Sequence, residues 1–185
     1  MNYLMHIRIA KGMSIIMKAI IMAGGEGSRL RPLTCDLPKP MVPIMNIPTL
    51  EYIIRLLKTH NITEIAITLM YLPNTIKDYF KDGRDFGVSI KYFTENSPLG
   101  TAGSVKNASF FLNEPFLIIS GDSLTDINLT AFIAYHKAKN SKATKALANV
   151  DVPLEYGVVI TRQDGSITAF VEKPRWNQVY SDTVN

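Results

Sequence analysis

From Lys18 onward, short apolar runs alternate with stretches whose apolar residues recur at helical spacing. Ala19-Ile20-Ile21-Met22-Ala23 is apolar without a break, the pattern of a strand covered on both faces. Thr49 is placed to cap a helix whose Leu50, Ile53, Ile54 and Leu57 follow the i, i+3, i+4, i+7 pattern. Ile65 to Met70 reads as the next strand. Pro73 then opens a helix carrying Ile76, Tyr79 and Phe80 on one side, and Gly83 stops it.

The same alternation continues with a strand from Val88 to Phe93, a helix near Ala102 to Leu112, a buried strand Phe116–Ser120 and a helix Leu129–Lys139. Val158 to Thr161 and Ser166 to Val171 flank Gln163-Asp164-Gly165, a hairpin signal. Tyr92, Phe93, Phe110 and Phe111 are expected in the core. Strands alternating with helices predict a three-layer, Rossmann-like α/β domain with a mostly parallel sheet. Its site is expected beyond the carboxyl ends of the strands. Tyr180 to Asn185 shows no cap and no terminal strand, so the domain reads as truncated at this end. Residues 1–17 read as an upstream extension and 18–185 as one incomplete catalytic domain.

Composition narrows the picture. At 185 residues, 46% hydrophobic and 19% charged, the chain is neither disordered nor fibrous. A net charge of +4 is spread over scattered lysines and arginines, many beside acidic neighbours, as in Lys77-Asp78 and Lys81-Asp82. That argues against a nucleic-acid stripe and suits a pocket for anionic phosphates. No apolar run approaches the ~20 residues that cross a membrane, so no membrane partner is expected. Cys35, the single cysteine, rules out an internal disulfide and points to a reducing cytoplasm. His6, His60 and His136 lack metal-ligand spacing and are assigned no chemistry.

The chemistry concentrates where the first strand runs into Gly24-Gly25-Glu26-Gly27-Ser28-Arg29-Leu30-Arg31-Pro32-Leu33-Thr34, followed by Pro38-Lys39-Pro40. Glycines there let backbone N–H groups approach a phosphate chain, and Arg29, Arg31 and Lys39 add cationic donors. A glycine turn beside solvated arginines is the plain alternative. A dinucleotide fingerprint would need glycine where Leu30 stands, and the Gly-Lys-Ser/Thr of a P-loop is absent.

Ala23-Gly24-Gly25-Glu26-Gly27-Ser28-Arg29-Leu30-Arg31-Pro32-Leu33-Thr34 with Pro38-Lys39-Pro40-Met41-Val42-Pro43-Ile44 resembles the signature of the sugar-1-phosphate nucleotidyltransferases, with Ser28 where many members carry threonine. The resemblance implies transfer of a nucleotidyl group from a nucleoside triphosphate to a sugar 1-phosphate, with Mg²⁺ as cofactor and pyrophosphate as the leaving group. It implies nucleotide contacts from Ala23, Gly24, Gly25, Gly27 and Ser28, charge stabilisation at the α-phosphorus by Arg29, and phosphate binding by Lys39.

Glu95-Asn96-Ser97-Pro98-Leu99-Gly100-Thr101-Ala102-Gly103 is similar to the family's base-binding turn. Glu95 falls at the position of the base-reading side chain, and Gly100 and Thr101 follow. A carboxylate can accept from guanine's N1–H and exocyclic amine together, which favours GTP over UTP or dTTP; a turn-capping glutamate is the alternative. The resemblance assigns Asp122, in Ser120-Gly121-Asp122, to Mg²⁺ and to catalysis. By the same resemblance Gly157, Glu172 and Lys173 meet the sugar phosphate, with Lys173 also catalytic. Asn185 matches the first residue of the family's Asn-Thr-Gly segment at the sugar.

The nearest subgroup is the mannose-1-phosphate guanylyltransferase-like proteins, so GTP and mannose 1-phosphate are the expected substrates. A glucose-1-phosphate uridylyl- or thymidylyltransferase, or an inactive nucleotide-sensing subunit, are the alternatives. Members continue past the point where this chain stops, with a second Mg²⁺ ligand and often a further domain. The chain is therefore expected to be weakly active or inactive alone, and self-association is left to a full-length homo-oligomer.

Overall fold

The computed structural model describes residues 17–184, so the expected extension before Met17 and the sugar contact of Asn185 lie outside the described residues. Two compact units are present, one reaching Thr130 and one starting at Ala131.

The first unit runs β1 (Lys18–Met22), β2 (Pro43–Ile44), β3 (Ile47–Pro48), α1 (Thr49–Thr59), β4 (Glu64–Leu69), α2 (Pro73–Phe80), β5 (Ser89–Thr94), α3 (Gly100–Asn107) and β6 (Phe116–Ser120). β5, β4, β1 and β6 form a sheet in that order, every pair parallel. Alternation of side chains sends Ile20 and Ala66 to one face, where they pack with Ala108 and Phe111 at and beyond the end of α3. Ile21, Ile65, Ile67 and Leu69 point to the opposite face and are also fully buried. Both faces are thus covered, which explains why β1 and β4 carry unbroken apolar runs.

α4 (Leu129–Lys139) begins at the join. The second unit then holds a sheet in the order β7 (Ala148–Asn149), β10 (Thr183–Val184), β8 (Gly157–Thr161) and β9 (Ile167–Glu172). The β8–β9 hairpin is the one its Asp-Gly turn foretold, closed by Gly165 N–H donating to Arg162 O at 2.9 Å.

Six local expectations are corrected. Pro48, not Thr49, occupies the cap of α1; Thr49 is the first helical residue, and its hydroxyl and N–H both donate to Val42 O, at 2.8 and 3.2 Å. α3 starts at Gly100 and stops at Asn107, after which Ala108 to Leu112 continue through i→i+3 turns. Those tighter turns face Phe111 inward and leave Phe110 fully exposed. Tyr79 is half-exposed, because Ile76 and Phe80, one turn apart, take the inward stripe of α2. Among the described residues β6 pairs only with β1, so Ile118 is partly exposed. Thr183–Val184 forms a terminal strand too short to signal itself, bridging Val158 and Ala148.

His60 and His136 each make a hydrogen bond to a threonine. Thr130 N–H donates to His60 Nδ1 at 3.3 Å, and His136 Nδ1 bonds Thr144 Oγ1 at 2.8 Å.

One half-buried phenol gives a test of packing around β5. Burial, and then the charge of Asp82, push Tyr92 up to about 12, while its hydroxyl donates to Lys81 O at 2.7 Å. A raised folded-state pKa contributes stability that is whole below the unfolded value of ~10 and fades as pH rises towards 12. A Tyr92→Phe chain, which has no such phenol, is expected to lose less stability over that window. Urea midpoints measured on both sides of it, falling equally in the two proteins, would contradict this.

Candidate active site

The carboxyl edge of the parallel sheet is built in register. Met22 lies opposite Thr68 on one side and Ser120 on the other, and Thr68 lies opposite Phe93. The pairing continues just past the strands: Ala23 N–H donates to Thr68 O at 3.0 Å, Gly121 N–H to Met22 O at 2.8 Å and Glu95 N–H to Leu69 O at 2.7 Å. Side chains that leave this edge on the α3 side enclose a cavity of about 350 Å³.

Its walls come from four places. The glycine loop contributes Ala23, Gly24 and Gly25, and the following 3₁₀ turn contributes Lys39. Glu95 and the start of α3, with Gly100 and Thr101, form another side, and Asp122 stands at the end of β6. The site falls where a parallel sheet is expected to bind ligands. Eight of the expected nucleotide or metal residues therefore share one cavity. Gly27, Ser28 and Arg29 do not line it, and Ser28 and Arg29 are exposed on the outer part of the loop.

Gly27 nonetheless shapes the site. Its φ of +63° is costly for residues with a Cβ, and a Cβ there would lie 2.9 Å from Lys39 Cβ. The absence of a side chain at Gly27 lets the stem of Lys39 pass. The loop is closed from beneath by fully buried Thr34, whose hydroxyl donates to Gly27 O at 2.8 Å.

Lys39 Nζ donates to Asp122 Oδ2, and Ser120 Oγ donates to Asp122 Oδ1 at 2.6 Å. Partial burial alone would push the Asp122 carboxyl upward. The hydrogen bonds from Lys39 and Ser120, with the Lys39 charge, outweigh it and hold the group below the usual carboxylate range. Glu95 is 8% exposed, and its Oε1 has no hydrogen-bond partner among the described residues.

The sequence reading missed Thr68, Met70, Ser104 and Ser120, which also line the cavity. A signal was available for Thr68, the one hydroxyl after Ile65-Ala66-Ile67 in a strand buried on both faces. The other three need the register.

The expected sugar-phosphate residues form their own group in the second unit. Gly157 pairs with Glu172 at the open end of the β8–β9 hairpin, and Lys173 N–H donates to Tyr156 O at 3.0 Å. Gly157 is buried, while Glu172 and Lys173 are exposed.

Residues 18–185 match the family model for nucleotidyl transferases. The chain belongs to the nucleotidyl transferase family. Among curated relatives it is 37% identical over 183 residues to a UTP–glucose-1-phosphate uridylyltransferase of Synechocystis, covering 91% of this chain and 47% of that protein. It is 37% identical over 168 residues to the mannose-1-phosphate guanylyltransferase catalytic subunit beta of Dictyostelium discoideum, covering 89% and 46%. The chain thus spans just under half the length of these relatives.

Two solved structures are similar at 28% identity. One is a Bacillus anthracis protein in complex with sucrose, with a TM-score of 0.82 over 91% of this chain and 68% of that one. The other is HddC of Yersinia pseudotuberculosis complexed with GMP-PN, with a TM-score of 0.71 over 91% and 72%. They agree with the α/β architecture described above.

Proposed function

We propose that this nucleotidyl transferase chain carries the nucleotide half of a reaction that transfers GMP from GTP to a sugar 1-phosphate, with mannose 1-phosphate as the favoured acceptor. The observation that carries the base assignment is Glu95: a buried carboxylate in the cavity with one oxygen unpartnered. Guanine offers two adjacent N–H donors to a carboxylate. Uracil and thymine offer one N–H between two carbonyls, so the second carboxylate oxygen would face a carbonyl.

The reaction is an in-line attack by a phosphate oxygen of the sugar 1-phosphate on the α-phosphorus, with pyrophosphate leaving. The nucleophile is already an anion, so no enzyme-bound intermediate is required. Gly24 and Gly25 present open backbone to the phosphates. Lys39 holds the phosphate chain, and Arg29 offers its guanidinium to charge developing at the α-phosphorus. In the second unit Lys173 offers a cation to the sugar's phosphate, and Gly157 and Glu172 offer groups for its hydroxyls. Alignment and fixed charge supply the acceleration.

Asp122 fits Mg²⁺ as a single anchor. Its half-buried carboxylate lines the cavity, and no cluster of three or more His, Cys, Asp or Glu occurs among the described residues. One carboxylate completed by phosphate oxygens and water is a habitual Mg²⁺ environment. Bound there, the ion would neutralise phosphate charge. We place the protein in the cytoplasm, a reading supported by the exposed free thiol of Cys35.

Pyrophosphate release is the test, with mannose 1-phosphate and each of GTP, UTP, dTTP, ATP and CTP offered separately to this chain and to a chain of its relatives' length. Release confined to GTP is expected. Glu95→Gln replaces an acceptor by a donor and is expected to cost GTP ~1–3 kcal/mol, roughly five- to 150-fold, while sparing UTP. An unchanged base preference in that variant would remove Glu95 from base reading.

A further inference from the structure

Glu95 is not alone in being buried without a partner. Thr68 is 1% exposed, lines the same cavity, and its Oγ1 also has no hydrogen-bond partner among the described residues. The two side chains leave the same face of the sheet, since Thr68 is in register with Phe93 and Glu95 lies two residues further along. With a strand spacing of ~4.8 Å and a rise of ~3.3 Å per residue, their Cα atoms are about 8 Å apart. That separation lets both side chains reach the edge of one planar base. Thr68's neighbours in its row, Met22 and Phe93, are apolar and leave the hydroxyl unsatisfied from either side. Valine would fill the same space without burying a hydroxyl.

We propose that Thr68 is a second base-reading residue: its hydroxyl donates to the O6 carbonyl of guanine while Glu95 accepts from N1–H and the exocyclic amine. The inference rests on the guanine reading above and adds the group that recognises the base's acceptor. The division of labour follows from the donor inventory. A carboxylate only accepts, so the carbonyl beside N1–H needs a donor, and the threonine hydroxyl supplies it. Together the pair matches the acceptor–donor–donor order of the guanine edge. Adenine reverses the first of these, presenting an amine where O6 stands.

The test is nucleotide binding by calorimetry, with no sugar phosphate added, to the wild-type chain, Thr68→Val and Thr68→Ser. Thr68→Val is expected to bind GTP about three- to tenfold more weakly, the worth of one neutral hydrogen bond, and Thr68→Ser to restore most of the loss. With 6-thioguanosine triphosphate, whose sulfur is a poor acceptor, wild type and Thr68→Val are expected to bind alike. The thermal midpoint of nucleotide-free Thr68→Val should equal or exceed that of wild type, because an unsatisfied buried hydroxyl has been removed. A purely packing role would instead lower stability and affinity together.

Equal GTP binding by wild type and Thr68→Val would overturn this inference and leave the reading of Glu95 intact. So would an equal loss with the thio analogue. A wild-type preference for UTP would overturn the assignment of O6 together with the guanine reading. Absence of all nucleotide binding would overturn both.

Discussion

Lys39→Met is expected to weaken GTP binding by about ten- to 150-fold, ~1.5–3 kcal/mol for one charge-assisted contact. Pyrophosphate release is expected to fall by about 10²- to 10³-fold, the usual effect of removing one preorganised group at the developing charge. Lys39 is paired with Asp122. An ammonium has three donors, so the bond to Asp122 leaves others for phosphate oxygens. The pair also fixes the lysine stem over Gly27, which meets phosphate without first surrendering the freedom of a loose side chain. Methionine keeps the stem and removes the charge.

A pH readout separates this role from general damage. The Asp122 carboxyl sits below its ordinary range, against the pull of burial, because Lys39 and Ser120 hold it. A lowered folded-state pKa contributes stability above the unfolded carboxylate value that is lost as pH falls through the folded one. The stability advantage of wild type over Lys39→Met should therefore shrink on acidification. Chemical denaturation at neutral and acidic pH would show it; a gap that stays constant would mean that the ion pair does not contribute.

The strand–helix alternation, the parallel sheet and the position of the site were readable because β1 and β4 are buried on both faces and their apolar runs are unbroken. The glycine loop and Lys39 took on a nucleotide reading only through the family resemblance, since glycines beside arginines also suit a plain solvated turn. What escaped was whatever depends on register. Thr68 gained meaning only once it stood beside Met22 and Phe93, and Ser120 only once it was seen bonded to Asp122. Thr49 carries the usual cap signal, a hydroxyl before an apolar stripe, yet it is the first helical residue. The sequence could not show that Val42 O would come within reach of it.

The aromatic residues carry the same lesson as a measurable contrast. Phe80→Ala is expected to destabilise the first unit by about 3–5 kcal/mol, the usual cost of emptying a buried phenylalanine site. Phe80 is 1% exposed and meets Tyr79 edge-on, with ring centroids 4.8 Å apart, and Phe86 at 5.0 Å. The group is folded back by Gly83, where a Cβ would lie 2.9 Å from Val88 O. α2 packs on β5, so the loss should reach the strand that delivers Glu95 and weaken GTP binding as well. Phe110→Ala is the control. Sequence alone puts Phe110 in the core beside Phe111, yet the turns after α3 leave it fully exposed, and surface changes of this kind usually stay within about 0.5 kcal/mol. Urea midpoints by circular dichroism, with hydrogen exchange of the β4 and β5 amides, would compare the two. A large loss at Phe110 would mean that the helix runs on to Leu112, with that ring turned inward.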